Sequence, residues 1–290
     1  MLDICTIGHI SLDKVVTVQS TKHMPGGTSF YFSKALLTRD ITYKLITALA
    51  QEQYSVVDEL RAEGFDVYTI PSKHSVYFEN VYNADQNHRD QYVLQKASPF
   101  SLDQMPEVSA KFFHLGPLLA DDIPVKLIKD LATKGKVSLD IQGYLRHVRE
   151  KRVVYQDWAD KKEMLPYVSI LKANEFEMEV ITGLTDAWDG ARYLADLGVS
   201  EVIITLGSQG SLVLTEGTFY QIPAFKPATV VDATGCGDTY MAGYLSKRVK
   251  GADVQEAGEF GAAMATLKIG ISGPFLGQPE LVKQLLTQSV

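Results

Sequence analysis

Residues 230–243 read Val230-Val231-Asp232-Ala233-Thr234-Gly235-Cys236-Gly237-Asp238-Thr239-Tyr240-Met241-Ala242-Gly243. Small residues crowd a turn, and a helical stretch follows at once. Glycine takes backbone conformations closed to other residues and lets the chain approach a ligand closely. The N–H groups at the helix start, backed by the positive end of the helix dipole, then converge on one point. Gly235, Cys236 and Gly237 would thus form an anion hole. Asp238 stands at its mouth, where a carboxylate can take the proton from a hydroxyl attacking a bound phosphoryl group. The same residue types also fit a plain helix start with Asp238 as its N-cap, a role Asp favours. Taken alone, the segment leaves both readings open.

Such a turn needs a scaffold. Apolar, β-branched runs at 2–8, 43–48, 66–70, 112–115, 136–140, 168–171 and 201–206 alternate with helix-period stretches at 29–37, 54–61, 124–133, 175–181 and 187–197. Two further helices are expected at 237–249 and 254–269. The alternation predicts an α/β fold, a mainly parallel central sheet flanked by helices, in one domain over residues 1–290. Two segments break the rhythm, 11–24 and 75–95. The second alternates Val76, Phe78, Val81 and Tyr82 before a polar turn at 83–90, which reads as an antiparallel hairpin. Together they predict a small β-lid that could cover a substrate. A surface hairpin used in dimer packing fits the pattern as well.

The chain has 290 residues with 28 Lys and Arg against 35 Asp and Glu, a formal net charge of −7. That balance argues against a general electrostatic grip on nucleic acid or on an anionic membrane. Two cysteines in a chain this long are no disulfide framework. Without a signal-peptide pattern or an 18-residue apolar run, the expected location is the cytoplasm. No G-x-x-x-x-G-K-[ST] occurs, which excludes a P-loop kinase, and no G-x-G-x-x-G follows the first strand, which disfavours a dinucleotide-dependent dehydrogenase. His9, His114 and His147 have no partners at metal-ligand spacing and read as structural.

Four motifs in chain order resemble those of the ribokinase-like, or PfkB, carbohydrate kinases, and the resemblance spans essentially the whole chain. Paired glycines, Gly26 and Gly27, open a helix after the lid strands. The N-x-x-E motif matches Asn174-Glu175-Phe176-Glu177, and T-x-G-x-x-G matches Thr205-Leu206-Gly207-Ser208-Gln209-Gly210. The signature D-T-x-G-A-G-D matches 232–238 with Ala233 and Cys236 as substitutions. The resemblance implies a ribokinase-like fold and transfer of phosphoryl from ATP to a hydroxyl of a sugar or sugar-like polyol. In it Asp238 is the general base, and Gly235, Cys236 and Gly237 hold the transferring group. Glu177 organises Mg²⁺ through water, and Asn174, Thr205, Gly207 and Gly210 serve the nucleotide. Asp232 and Thr234 match positions that bind a monovalent cation in several relatives, so K⁺ is a candidate cofactor. Asp13, Gly26, Gly27 and Tyr31 fall on the acceptor side. Many relatives also dimerise through the lid.

The chain departs from the family pattern in places. Tyr31 stands where many sugar kinases of the family carry Asn, so ribose or fructose recognition of the usual kind is not expected. Cys236 replaces a small Ala. Its backbone N–H is expected to serve the hole, and its thiol either packs inertly or acquires a lowered pKa at the helix start. Residues 115–118 and 138–146, with Asp140, Gln142 and Arg146, look more like the plant-type myo-inositol kinase branch. A nucleoside kinase and a non-catalytic sugar or nucleotide sensor of the same fold remain as alternatives, because fold does not decide function.

Overall fold

A computed structural model describes residues 1–38, 40–82 and 89–287, so most of the polar turn expected at 83–90 lies outside the described residues. In chain order the strands are β1 (Leu2–Ile7), β2 (Ser11–Val16), β3 (Thr21–Gly26), β4 (Tyr43–Leu49), β5 (Asp66–Pro71), β6 (Val76–Tyr82), β7 (Arg89–Gln95) and β8 (Ala110–Leu115). They continue as β9 (Lys136–Asp140), β10 (Arg146–Arg149), β11 (Arg152–Tyr155), β12 (Ile170–Asn174), β13 (Glu201–Thr205), β14 (Ser211–Thr215) and β15 (Thr218–Ile222). The helices are α1 (Thr28–Ala35), α2 (Tyr54–Ala62), α3 (Val125–Ala132), α4 (Lys161–Met164), α5 (Glu175–Thr182), α6 (Ala187–Asp196), α7 (Cys236–Arg248), α8 (Val254–Ile269) and α9 (Pro279–Thr287).

The large sheet has the order β15-β14-β13-β12-β9-β8-β1-β4-β5. From β13 to β5 every neighbouring pair is parallel, while β14 and β15 close one edge antiparallel. Parallel strands joined through helices are buried on both faces, which explains their continuous apolar runs. On one face Ile170, Ile203, Val213 and Ile222 pack against Met241, Tyr244, Ala263 and Met264 of α7 and α8. On the other, Leu171, Val202 and Ile204 pack with Leu127 and Ile128 of α3, Met178 and Ile181 of α5, and Leu194 of α6.

A second sheet has the order β10-β11-β7-β6-β2-β3. It contains the two antiparallel pieces expected from residues 11–24 and 75–95, and it is larger than expected by the β10–β11 hairpin. That hairpin turns on Glu150 and Lys151, both at positive φ. Two-residue hairpin turns ask for positive φ at both positions, and Asn-Gly or Asp-Gly is the usual marker. Glu-Lys carries no such signal, so this strand pair was not legible. The β14–β15 turn at Glu216 and Gly217 has the same geometry and does carry a glycine.

Side chains of Asn174, Asp186 and Asp253 cap α5, α6 and α8, each accepting a first-turn backbone N–H. By contrast α1 begins at Gly27 and α7 at Gly235, with no side-chain cap at either. The α7–α8 crossing is held close by glycines. A Cβ at Gly261 would lie 2.7 Å from the Tyr240 carbonyl oxygen, and one at Gly243 would lie 2.9 Å from the Gly261 Cα. Gly261→Val should therefore overpack this crossing and cost about 1–3 kcal/mol, read as a lower urea midpoint.

Candidate active site

Open parallel sheets present ligands at the carboxyl ends of their strands. Here β9 ends at Asp140, β12 at Asn174 and β13 at Thr205. The register sets Lys172 of β12 beside Asp140 of β9, and Asn174 of β12 beside Thr205 of β13. These side chains line a cavity of about 980 Å³ together with Gly207, Gly210, Cys236, Gly237 and Asp238. Phe225, Val230, Ala262, Ala265 and Ile269 add an apolar surface to its lining.

Asp238 is the third residue of α7 and is not its N-cap, which is Gly235 in the left-handed region at φ 77°. The Tyr31 ring lies flat against Gly235, so that a Cβ there would run into it. Tyr31 is buried and shapes the anion turn from behind. The Cys236 N–H closes the turn onto the Ala233 carbonyl at 3.2 Å, a bond that competes with its expected service to an anion. Gly237 and Asp238 supply the remaining first-turn amides, which have no carbonyl one turn back inside the helix. The Thr28 hydroxyl donates to the Asp238 carboxylate and accepts from Gln142 Nε2 at 3.0 Å. Desolvation at the cavity floor pushes the Asp238 pKa up, and the Asp140 carboxylate adds to the push. Lys172, Thr28 and Arg146 pull it back, leaving it at about 7.

Lys172 was not singled out in the sequence, although a lysine inside an apolar strand two residues before Asn174 was a signal. Its Nζ lies 3.0 Å from Asp140 Oδ2 and 3.6 Å from Glu177 Oε2. It also packs within reach of Gly237, where an added Cβ would sit 3.0 Å from Nζ. Burial opposes this ammonium, but the charges of Asp140, Glu177 and Asp238 hold its pKa above the ordinary lysine range. Arg146, at the start of β10, is buried over the same cavity, and its Nε has no hydrogen-bond partner.

Asn174 and Glu177 form a reciprocal capping box. Glu177 N–H donates to Asn174 Oδ1, and Asn174 N–H donates to Glu177 Oε2, both at 2.8 Å. Burial raises the Glu177 pKa, Lys172 lowers it and Asp140 raises it again, with the net direction upward. Among the described residues no three His, Cys, Asp or Glu side chains group as a metal cage. This donor set suits a Mg²⁺ that takes most of its ligands from phosphate and water. Thr205, Gly207 and Gly210 follow β13 in a tight loop closed by Leu206 N–H donating to the Gly210 carbonyl at 2.8 Å.

On the acceptor side, Asp13 accepts from Ser11 Oγ at 2.7 Å, and its carboxylate packs on Gly26 across the β2–β3 ladder. Gly27 then leads into Thr28. The large cavity and the Asp13–Gly26–Gly27 corner therefore meet at the Thr28–Asp238 hydrogen bond. Neither Asp13 nor Tyr31 lines the large cavity. The Cys236 thiol is packed near the Ala265 carbonyl and burial pushes it up to about 11, which excludes a lowered pKa. His9 and His114 are structural as expected. His9 Nδ1 pairs with the Ala48 carbonyl and its ring stacks on Phe100, while His114 stacks on Phe32 with its pKa lowered by burial to about 4. At Asp232 and Thr234 the structure holds a side chain that sequence reading passed over, the Lys268 ammonium. No helix of the described residues is long and apolar enough to cross a membrane.

The chain resembles proteins of established activity. It is 28% identical over 273 residues to a cytidine kinase of Thermococcus kodakarensis, covering 91% of this chain and 95% of that protein. A ribokinase of Arabidopsis thaliana is 30% identical over 169 residues, 56% of this chain and 41% of its own length. Among solved structures, a pyrophosphate-dependent kinase in the ribokinase family, complexed with a pyrophosphate analog and myo-inositol, superposes with a TM-score of 0.86 at 28% identity over 97% of this chain and 99% of that one. Arabidopsis thaliana ribokinase complexed with ribose and ATP shares the fold, with a TM-score of 0.80 at 20% identity over 98% of each chain. The pfkB family carbohydrate kinase model matches residues 2–280, and with these relatives it makes the chain a member of the PfkB family of carbohydrate kinases.

Proposed function

We propose that this kinase transfers the terminal phosphoryl group of ATP to a hydroxyl of a sugar or sugar-like polyol, with Asp238 as the general base. The observation that carries the reading is a carboxylate with a pKa of about 7 at the floor of the cavity, beside first-turn amides that no side chain caps. A base works best when its proton affinity lies near the working pH. The Thr28 hydroxyl fixes the carboxylate, and Gln142 fixes Thr28. The Gly237 and Asp238 amides and Lys172 would take the charge that develops on the transferring group. Fixed dipoles and charges aimed at such a group usually contribute more to the rate than any other effect. Arg146 adds a second positive charge over the same cavity. A Mg²⁺ arriving with the donor would neutralise phosphate charge beside Glu177. The small sheet, continuing from Asp13 and Gly26, would cover the acceptor and keep water from the phosphoryl group.

Two observations bear on the substrates. The apolar wall of Phe225, Val230, Ala262, Ala265 and Ile269 suits a purine or pyrimidine ring, which a pyrophosphate donor would leave bare. Similarity to the pyrophosphate-dependent kinase favours the second donor, and end-to-end similarity to the cytidine kinase favours a nucleoside acceptor. ADP or phosphate release with ATP or pyrophosphate, against a panel of sugars, cyclitols and nucleosides, separates these cases. Turnover with ATP and none with pyrophosphate is the expected result.

Asp238→Asn should lower kcat by about 10²–10⁴ with donor affinity little changed. Binding without turnover in the wild type as well would support the sensor reading instead. Since Asp238 must be ionised to accept the proton, kcat/KM should rise with pH and level off above a midpoint of about 7. Lys172 lowers the Asp238 pKa, so Lys172→Met should move that midpoint to higher pH as well as slow the reaction. The midpoint shift distinguishes this role from the stability loss of about 3–5 kcal/mol that follows when a buried ion pair loses one partner.

A further inference from the structure

We infer that Lys268 is a tethered monovalent cation, and that this chain carries as a side chain the charge that the family resemblance assigns to K⁺ at Asp232 and Thr234. Lys268 lies in the last turn of α8 and is 0% exposed. Its Nζ donates to the Asp232 carbonyl at 2.9 Å and to the Ile271 carbonyl at 3.2 Å, with Asp232 Oδ2 at 3.7 Å. The other carboxylate oxygen of Asp232 accepts the Thr234 N–H at 2.9 Å. One buried ammonium therefore ties the end of α8 to the first half of the loop that leads into Gly235, Gly237 and Asp238.

An ammonium and a potassium ion have the same charge and nearly the same size, and both are held by backbone carbonyl oxygens in place of their hydration shell. A free ion that took Asp232 as a ligand would have to share its carbonyl with Nζ and sit against a like charge out of reach of solvent screening. These residues do not fit an added K⁺. A lysine in the last turn of a helix often does no more than bond the helix's own terminal carbonyls. The bond to Asp232, 36 residues away, and the ion pair with its carboxylate exceed that role. The inference rests on the kinase reading only for its effect on turnover, so its test does not need turnover.

Melting of wild type and Lys268→Ala should be followed in chloride salts of K⁺, NH₄⁺ and tetramethylammonium at equal ionic strength. The wild type is expected to melt at the same temperature in all three. Lys268→Ala is expected to melt lower in tetramethylammonium, by about 5 °C, and to recover in K⁺ or NH₄⁺ through binding of the small cation to the vacated place. A K⁺-selective rise in the wild type overturns the proposal, because an ion then binds beside the lysine. Failure of Lys268→Ala to recover in either small cation also overturns it, because Lys268 is then a helix-end anchor alone. The wild-type comparison decides even where the variant does not fold. If an acceptor turns over, wild-type kcat should be the same in K⁺ and in tetramethylammonium. Loss of turnover in every salt would count against the kinase reading and leave the melting result standing.

Discussion

Lys172 is the interaction on which the candidate site depends. It places one buried positive charge among Asp140 at the end of β9, Glu177 in the first turn of α5 and Asp238 in the first turn of α7. Removing charges from water is expensive, and such a cluster persists only when each member is paired and hydrogen-bonded. Asp140 is held by its cap to Gln142, and Glu177 by the capping box with Asn174. Three carboxylates against the two cations Lys172 and Arg146 still leave an excess of negative charge. Burial raises the proton affinity of Asp238, and the Asp140 carboxylate beside it adds to the rise. Packing this cluster is thus also what brings the proton affinity of a carboxylate near neutral pH.

A second constraint comes from two helices that start at glycines. α5, α6 and α8 spend a side chain on their first-turn amides, whereas α1 and α7 start at Gly27 and Gly235. The two glycine starts pack together, and the Thr28 hydroxyl joins them through Asp238. Tyr31, one turn further along α1, fills the space behind Gly235, so the geometry of the anion turn is set by the packing of α1 on α7. Tyr31, expected on the acceptor side, is also a packing partner of this turn.

An apolar surface and an anion-binding floor divide the cavity into two chemistries. Phe225, Val230, Ala262, Ala265 and Ile269 can remove a flat ring from water, and the Gly237–Lys172 region can hold phosphate. Small residues at 262 and 265 leave the room, while Gly243 and Gly261 let α7 and α8 approach closely enough for that surface to stand beside Asp238. Lys268 ties the end of α8 to the loop that leads into α7, so this apolar surface and Asp238 sit on linked elements.

Periodicity and local motifs were enough to read the α/β class, the parallel strands, α7 and α8, and the four motifs, three at strand ends and one at the start of α7. These are determined by short-range rules: strand and helix periods, glycine at tight turns, and the Asn174–Glu177 spacing of a capping box. The β10–β11 hairpin escaped because its positive-φ turn uses Glu150 and Lys151, which carry no turn signal. Thr28, Lys172 and Lys268 escaped for another reason. Each acts through a partner far away in the chain: Asp238, Asp140 and Asp232. A lone threonine or lysine announces nothing until the sheet register and the α7–α8 packing bring that partner to it. The sequence by itself determined which residues could do the chemistry. Only the tertiary structure decided their charge states and neighbours, because desolvation and Coulomb interactions depend on distances that no local spacing encodes.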